Sequence, residues 1–431
     1  MALFGDQKSS LVSGLAFIAT AVIAVGISVC GGRADDGGRR LPKGAVRLNE
    51  ALTAELCADS TMRRMEKDFI PFMRQWGIKG ATLAVMRGDS LLYVHPFGEA
   101  DDGVPMAPGN IMRVASVSKL VTAAAIMLLQ DRGSLSLDDT VFGEGDALAE
   151  FRDVIKDRRY YDITVRHLLM HTAGFTARAL DPMFSTRELM TRMSLDKAPS
   201  SEQIIRWRLS RPLSFTPGSS SAYSNFGFLL LSVLIERLTG ADYYDWVNEN
   251  LLFPAGCYDC YPAGNFYEDR HPGEVRYHAH AGETTVPSFD GRGEVERCYG
   301  GNDVNALKGA GGWVMSVPEL ARFVASIDGR PGVDDIISPE AVAQMTACTD
   351  SVTFGLGWND CSDKGVWTRT GTLSSTSALI KYYDDGECWI MVTNTGTYRG
   401  PHFTKYISTM FTRSREKYSA VLPARNLFEG R

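Results

Sequence analysis

Two stretches of the chain repeat apolar residues at the spacing of an α-helix. The first has this spacing at Val117, Leu120, Val121, Ala124 and Leu128. The second has it at Phe226, Leu229, Leu230, Val233 and Leu234. Gly133 and Gly240 follow the two stretches, and glycine is common just after the last turn of a helix. The pattern predicts two helices, each with one buried face.

Elsewhere the apolar pattern is that of β-strands. The segment "GATLAVMRGDSLLYVHPFG" (80–98) has two strand-like runs around residues 87–89, which predicts a hairpin. A second hairpin is predicted where residues 384–386 separate "TSALIKYY" from "ECWIMVTN". Between about 135 and 298, helical patterns alternate with long polar loops. A further helix is predicted at "VPELARFVASI".

This order of elements predicts an α/β (α+β) fold. We expect an antiparallel sheet flanked by helices, with a mostly helical second domain inserted into the sheet domain. Residues 49–134 and 299–431 are expected to form the α/β part, and residues 135–298 the helical insertion. Together they make one folded region, 49–431.

The N-terminal segment has a different composition. Residues 11–30, "LVSGLAFIATAVIAVGISVC", carry no charge, which is typical of a secretory signal or a membrane anchor. We therefore expect residues 1–32 to be a signal peptide or a membrane or lipid anchor, and residues 33–48 a tether. "ISVCGG" resembles a bacterial lipoprotein signal acylated at Cys30, although Val29 departs from the usual small residue. The expected location is a bacterial cell envelope, periplasmic or membrane-anchored.

Composition narrows the classes of function. The chain has 431 residues, of which 44% are hydrophobic and 22% charged, as in globular proteins. A formal net charge of −6 gives no support for nucleic-acid binding, which usually needs a basic surplus. We therefore expect a small-molecule or peptide substrate and no nucleic acid. Eight cysteines suit an oxidising envelope, but their spacing predicts no particular pairing.

The first predicted helix begins with a serine and a lysine. Ser116 and Lys119 are three residues apart, so their side chains share one helix face. In one interpretation Ser116 is an ordinary N-cap and Lys119 a solvated surface charge. In the other, Ser116 is a nucleophile, and a partly desolvated Lys119 has lost enough basicity to take its proton.

Two further segments present polar groups beside regular elements. Tyr223, Ser224 and Asn225 precede the second helix, where Asn225 is either its N-cap or a fixed functional group. "Arg369-Thr370-Gly371-Thr372" leads into a strand, where the glycine permits close approach of a ligand and the cation suits an anion. The alternative for this second segment is an edge strand with a surface arginine.

Taken together, the three segments resemble a known family. Ser116-Val117-Ser118-Lys119, Tyr223-Ser224-Asn225 and Arg369-Thr370-Gly371 are similar, in this order, to the S-x-x-K, Y-x-N and K/H-T-G motifs of class C β-lactamases and related DD-peptidases and esterases. "ITVRHLLMHTAGF", "FTPGSSSAYSNFGF" and "GAGGWVMSVPELARF" add to the similarity. The resemblance extends from about residue 60 to 400. It implies an active site in the cleft between the sheet domain and the helical domain.

The resemblance also implies roles for individual residues. Ser116 would attack a carbonyl carbon, while Lys119 and Tyr223 share its activation and the delivery of the proton to the leaving group. Asn225 would orient the lysine and the substrate amide. The backbone amides of Ser116 and Thr372 would form the oxyanion hole.

The third motif departs from the family pattern at its first position. Arg369 stands where lactamases normally have lysine and many DD-peptidases histidine, and arginine keeps the charge but does not relay protons. Arg369, Thr370 and Gly371 are expected to contact the substrate, with Arg369 holding a carboxylate.

Several activities remain open at this stage. The leading expectation is a DD-carboxypeptidase or related peptidase acting on D-amino-acid-containing peptides. Esterase activity on small acyl esters and β-lactamase activity are the enzymatic alternatives. A penicillin-binding sensor that acylates without turnover is the alternative from another class.

No metal or organic cofactor is expected. His167 and His171 have i, i+4 spacing but lack the glutamate of the metalloprotease pattern, so structural hydrogen bonding is favoured. Cys257 and Cys260 are followed by three histidines, but the long, irregular spacing and the expected envelope location favour a disulfide or loop residues over a zinc site. The idiosyncratic segment from Cys257 to Cys298 is instead a candidate cleft wall that adjusts specificity.

Overall fold

The computed structural model describes residues 45, 47–177, 180–347, 354–361 and 365–429. The expected signal or anchor and most of the expected tether lie outside the described residues. The helices are α1 Leu48–Ala51, α2 Ala54–Cys57, α3 Arg63–Trp76, α4 Ser118–Asp131, α5 Val165–Leu169, α6 Thr186–Met193, α7 Ser201–Leu209, α8 Asn225–Thr239, α9 Tyr243–Val247, α10 Val317–Ala325, α11 Pro339–Thr346 and α12 Thr404–Tyr418. None of the described helices is both long and apolar enough to cross a membrane.

The main sheet is antiparallel and has seven strands in the described part of the chain, in the order β3-β2-β1-β12-β11-β10-β9. A smaller sheet has the order β4-β8-β5, and β6 pairs with β7. The strands are β1 Gly80–Arg87, β2 Ser90–Asp101, β3 Val104–Pro105, β4 Ile111–Arg113, β5 Tyr261–Pro262, β6 Val286–Pro287, β7 Glu294–Val295, β8 Trp313–Ser316, β9 Asp360–Cys361, β10 Trp367–Leu373, β11 Thr376–Tyr382 and β12 Glu387–Thr393. The expected class, antiparallel sheet with helices, is confirmed.

Both predicted hairpins are confirmed. Strands β1 and β2 pair on either side of Gly88 and Asp89, which both have positive φ (51° and 59°). Strands β11 and β12 pair on either side of a turn in which Gly386 has a φ of 83°. Positive φ at these positions explains the turn residues that separate the apolar runs in the sequence.

The main sheet carries a core on each face. Along β1, Leu83 and Val85 belong to a cluster with Phe69 of α3 and Phe411 of α12. The alternate residues of β1, including Ala84, belong to the larger cluster that contains α4, α8 and α10. Side chains of a strand alternate between the two faces, so one strand contributes to both cores.

Helix α4 is more buried than its sequence pattern predicts. Instead of one buried face, every residue from 118 to 129 is buried. The helix packs against α8, α11 and the short helix Asn305–Ala310, and these contacts leave little of it facing water. The alanines at 123–125 suit such an enclosed position because they allow close packing.

Residues 45–431 form one compact unit. Within it, residues 135–298 contain α5 to α9, and the strands in this region are the two-residue segments β5, β6 and β7. The long strands and the helices α3, α10 and α12 come from the sequence on either side. Strand β4 and helix α4 thus connect the first half of the main sheet to the helical region.

Candidate active site

Ser116 lies in a short turn between β4 and α4. Ala115 has a φ of 50°, a conformation that is uncommon for a residue with a side chain. Ser116 itself is in the 3-10 turn Ala115–Val117, immediately before α4 begins at Ser118. The strained turn directs the partly exposed Ser116 into the cleft, where its hydroxyl lines a cavity.

Two side chains contact the Ser116 hydroxyl. Lys119 Nζ lies 3.2 Å from Ser116 Oγ, as their three-residue spacing predicts. The Tyr223 hydroxyl donates a hydrogen bond to the same oxygen at 2.7 Å. A nucleophile with two potential proton acceptors at this range is the geometry that serine acylation needs.

Lys119 is fully buried, and no carboxylate of the described residues is in hydrogen-bonding contact with it. Its Nζ donates to Asn225 Oδ1 at 2.8 Å and also to the backbone carbonyl of Ala310. Burial lowers the pKa of Lys119 to about 8, and the nearby Arg369 cation contributes in the same direction. The lysine is therefore much less basic than usual, mainly because it is desolvated.

Tyr223 faces two cations. Burial opposes its ionisation, but Lys119 and Arg369 outweigh burial and hold the pKa of Tyr223 below its usual value. The ring of His171 packs against the Tyr223 ring, tilted by 37°, with 4.5 Å between the ring centroids. His171 Nδ1 accepts a hydrogen bond from the Ser224 amide (3.1 Å), and burial depresses the pKa of His171 strongly. His171 is thus a neutral support for Tyr223.

Asn225 is the first residue of α8 but does not cap it. Ser224 is the N-cap, because its side chain accepts a hydrogen bond from the Gly227 amide. The Asn225 amide is free to bridge Lys119 and Asp181, whose Oδ2 accepts from Asn225 Nδ2 at 2.8 Å. Sequence reasoning missed Asp181, since a single aspartate in a loop gives no periodic or motif signal.

Arg369 is not placed as the sequence led us to expect. It is fully buried, and both its Nε (2.8 Å) and its Nη2 donate to the backbone carbonyl of Ser116. It does not line the cavity, so in this position it does not face the space where a substrate carboxylate would lie. The guanidinium instead stabilises the Ser116 turn through its backbone carbonyl, outside the cavity.

The remaining residues of the third motif lie along the cleft. The backbone N–H of Asn359 donates to the Thr368 carbonyl, and the side-chain Oδ1 of Asn359 accepts from the backbone N–H of Thr370 at 2.6 Å. Alternate residues of a strand direct their N–H groups to the same edge, so the Thr372 N–H points to this open edge as well. Asn359 was also missed from sequence, because it belongs to no motif.

Gly371 permits β10 to approach the Ser116 turn. A β-carbon at this position would lie 2.3 Å from the Val114 carbonyl oxygen and 3.1 Å from the Ser116 nitrogen. Only a glycine therefore allows β10 to lie this close to the Ser116 turn, which an oxyanion hole built from the amides of Ser116 and Thr372 would require.

The cleft contains a cavity of about 800 Å³ lined by both polar and apolar side chains. Ser116, Tyr223, Asn225, Thr370 and Thr372 all line it. Its other lining residues include Phe184, Asn302, Tyr398 and, from the expected cleft-wall segment, His280, Glu283 and Arg297. The segment 257–298 thus does form part of the cleft wall.

The histidines and cysteines considered as metal ligands have other contacts. His167 takes part in the capping box of α5 with Thr164. Cys257 and Cys260 are buried beside Glu319. Within the described residues, no group of three or more His, Cys, Asp or Glu side chains is arranged to hold a metal ion.

Comparison with known proteins identifies the family. A model of the Beta-lactamase family matches residues 65–407, which include all three motifs. The chain belongs to this family. Within the β-lactamase and penicillin-binding superfamily it is a serine hydrolase, so the fold and the general class of activity expected from the motifs are confirmed.

Individual relatives in the superfamily differ in activity. Esterase EstB of Burkholderia gladioli is 29% identical over 328 residues, 70% of this chain and 79% of the esterase. A penicillin-binding protein of Bacillus subtilis is 26% identical over 332 residues, 73% of this chain and 68% of that protein. The structure of a penicillin-binding protein homologue from Pyrococcus abyssi superposes with a TM-score of 0.61 at 22% identity, covering 82% of this chain and 76% of that chain.

Proposed function

We propose that this member of the β-lactamase family hydrolyses carboxylic esters of small acyl groups through a covalent acyl-enzyme on Ser116. The observation that carries the proposal is the contact of Ser116 Oγ with both the Tyr223 hydroxyl (2.7 Å) and Lys119 Nζ (3.2 Å). No cofactor enters the reaction, because nucleophile, proton acceptor and oxyanion donors all come from the chain.

The first half of the reaction forms the acyl-enzyme. Ser116 Oγ attacks the ester carbonyl carbon as its proton passes to the Lys119 and Tyr223 pair. The amides of Ser116 and Thr372 stabilise the negative charge on the carbonyl oxygen. When the C–O bond breaks, the pair returns the proton to the departing alkoxide, leaving an ester on Ser116. Water then repeats the sequence and releases the acid.

The Lys119 and Tyr223 pair must lack one proton to accept another. With a pKa of about 8, Lys119 is still mostly protonated at pH 7, and its neutral form becomes the major one only above about pH 8. The two cations beside Tyr223 also favour its phenolate form. Because the two groups interact, the proton belongs to the pair rather than to one residue.

Esters are favoured over peptides by the placement of Arg369. Arg369 is buried against the Ser116 carbonyl and does not face the cavity, so the third motif itself offers no cation beside Ser116 for the free carboxyl end of a peptide. Ester leaving groups also need less proton assistance than amines. The similarity to Esterase EstB adds support.

Hydrolysis of D-amino-acid-containing peptides is the second candidate. It is favoured by the hydroxyl side chains of residues 370–377 and the amide side chains of Asn302 and Asn359, which line the cavity and suit a peptide backbone. The Bacillus subtilis relative, named as a penicillin-binding protein, points the same way. β-Lactam turnover and acylation without turnover use the same first step and differ in the second.

One set of assays separates these activities. The full chain and the variants Ser116→Ala and Lys119→Arg are given an aryl butyrate, D-alanyl-D-alanine and benzylpenicillin. We expect rapid hydrolysis of the butyrate by the native chain, and loss of at least about a thousandfold in kcat for both variants. Undiminished butyrate hydrolysis by Ser116→Ala would overturn the proposal, while preferential cleavage of the dipeptide would move it to the second candidate.

We also propose that the enzyme works outside the cytoplasm. The support is the uncharged apolar run at residues 11–30. Fractionation of cells that express the full chain should place activity in the envelope, with the mass of the mature N-terminus showing cleavage, acylation at Cys30 or neither. Activity confined to the cytoplasmic fraction would contradict this location.

A further inference from the structure

Arg297 is the one arginine or lysine among the described residues that line the Ser116 cavity. It comes from the segment 257–298, which forms the cleft wall. Its side chain is 47% exposed, in contrast to the fully buried Arg369. A cation in this position is accessible to a bound substrate, whereas the cation of the third motif is not.

The guanidinium of Arg297 is held on one edge and open on the other. Its Nε donates to Glu283 Oε1 at 3.0 Å. The Glu283 side chain is only 13% exposed, and its backbone N–H donates a hydrogen bond to the His280 carbonyl. Neither terminal nitrogen of Arg297 has an acceptor among the residues that the structure describes. The two terminal nitrogens are the pair that binds a carboxylate through parallel hydrogen bonds.

The backbone around Arg297 is fixed by a second arginine. Buried Arg113, in the strand that leads to Ser116, donates to the carbonyl of Cys298, the residue after Arg297, at 2.7 Å. It also donates to the Gly264 carbonyl at 2.9 Å and stacks on the Tyr277 ring. The cleft wall and the nucleophile turn are therefore tied to each other, so Arg297 has a defined position relative to Ser116.

From these contacts we infer that Arg297 is a specificity-determining residue that binds a carboxylate on the substrate. The inference rests on the proposed function, because it concerns substrates cleaved at Ser116. The substrate class is an ester or amide that carries a carboxylate away from the bond to be cleaved. Glu283 positions the guanidinium and offsets its charge when the cavity is empty.

The test compares charged and uncharged esters of otherwise equal structure. One pair varies the leaving group: meta-carboxyphenyl butyrate and meta-carbamoylphenyl butyrate. The other varies the acyl group: the monophenyl ester of glutaric acid and its terminal amide. For each pair we take the ratio of kcat/KM for the charged ester to that for the uncharged ester, using the full chain.

Three variants accompany the native chain. Arg297→Gln removes the cation, and Arg297→Lys keeps the charge but not the paired nitrogens. Arg292→Gln is the matched control, because Arg292 is 46% exposed and bonds Asp290 through Nε at 3.0 Å but does not line the cavity. Circular dichroism and the melting temperature show whether each variant is folded.

We expect Arg297→Gln to lower the ratio about tenfold or more for at least one ester pair, through a higher KM for the charged ester. Arg297→Lys should give a smaller loss, and Arg292→Gln a change within about twofold. The inference would be overturned if folded Arg297→Gln left the ratio unchanged in both ester pairs. If Arg297→Gln does not fold, unchanged ratios in folded Arg297→Lys would overturn it.

Ser116→Ala separates this result from failure of the proposed function. If Ser116→Ala is inactive while the ratios do not respond to Arg297, only the role of Arg297 is wrong. If Ser116→Ala still cleaves the esters, or the native chain cleaves none of them, the proposed function fails and the inference fails with it.

Discussion

Lys119 connects the residues of the site, since its Nζ contacts Ser116, Asn225 and the Ala310 carbonyl. Its lowered pKa was expected from partial desolvation of the side chain beside Ser116. The structure attributes the shift first to burial, with Arg369 adding to it. A residue that is costly for folding is thus useful for proton transfer at ordinary pH.

The pKa of Lys119 predicts a pH profile. Below about 8 the Lys119 and Tyr223 pair holds its full complement of protons and cannot accept one from Ser116. For an uncharged ester, kcat/KM should therefore fall as pH decreases through about 8 and level off above it. Initial rates between pH 6 and 10 would measure this, and a flat profile would contradict a role for the pair in proton transfer.

Asp181 should act as a positioning residue. It bonds Asn225 and, by its negative charge, opposes the lowering of the Lys119 pKa. Removing the charge in Asp181→Asn or Asp181→Ala should lower that pKa and move the midpoint of the pH profile to lower pH. Asp181→Ala should also lower kcat about tenfold, because the Asn225 amide is no longer held.

The two Asp181 variants control each other. Asp181→Asn retains an oxygen that can accept from Asn225, so it should recover part of the kcat lost in Asp181→Ala. Equal losses with an unmoved pH midpoint would show that Asp181 serves only the local fold.

Sequence alone located the residues of the site but not all of their contacts. Ser116 and Lys119 follow from helical spacing, and Tyr223 and Asn225 from the resemblance. The direction of Arg369 did not follow, because a tertiary contact with the Ser116 carbonyl decides it. Asn359 likewise contributes through a position that only the folded chain creates.

At the scale of elements, β10 and the turn before α4 form the site by close approach. Gly371→Ala would place a β-carbon 2.3 Å from the Val114 carbonyl and force the strand away from Ser116. We expect kcat to fall about a hundredfold, as it does when an oxyanion donor is lost. KM should change much less.

Gly227→Ala is the matched control for Gly371→Ala. At Gly227, in the first turn of α8, a β-carbon would make only ordinary contacts, the nearest at 3.6 Å. This variant should keep its kcat. If Gly371→Ala retained full kcat as well, close approach of β10 would not be needed for catalysis.

The periodicity of apolar residues predicted which helices and strands form better than it predicted how deeply each one is buried. The hairpins were predictable because alternating apolar runs and turn residues agree locally. The burial of α4 on nearly all sides was not predictable, since it depends on α8 and α11, which are distant in sequence.

At the scale of the whole molecule, residues 47–52 close one edge of the folded unit. Arg47 and Asn49 both bond the carboxylate of Asp259, at 2.7 and 3.1 Å, and Leu48 and Leu52 are buried. A chain that starts at residue 45 should keep its melting temperature and its activity. A chain that starts at residue 53 should lose at least about 3 kcal/mol of stability.

A point variant distinguishes the causes of that loss. In the chain that starts at residue 53, Asp259→Asn removes a buried charge that has lost Arg47, so it should recover part of the melting temperature. No difference in melting temperature between chains starting at 45 and 53 would contradict the role given to this segment.

The central claim is that catalysis passes through an acyl group on Ser116. A small aryl carbamate is the most direct probe, because carbamoyl groups leave serine slowly and their added mass on the protein can be measured. Intact-mass spectrometry of the native chain should show one carbamoyl increment, mapped to the peptide that contains Ser116, in step with the loss of ester hydrolysis. The same increment in Ser116→Ala, or inactivation with the increment on another residue, would contradict the claim.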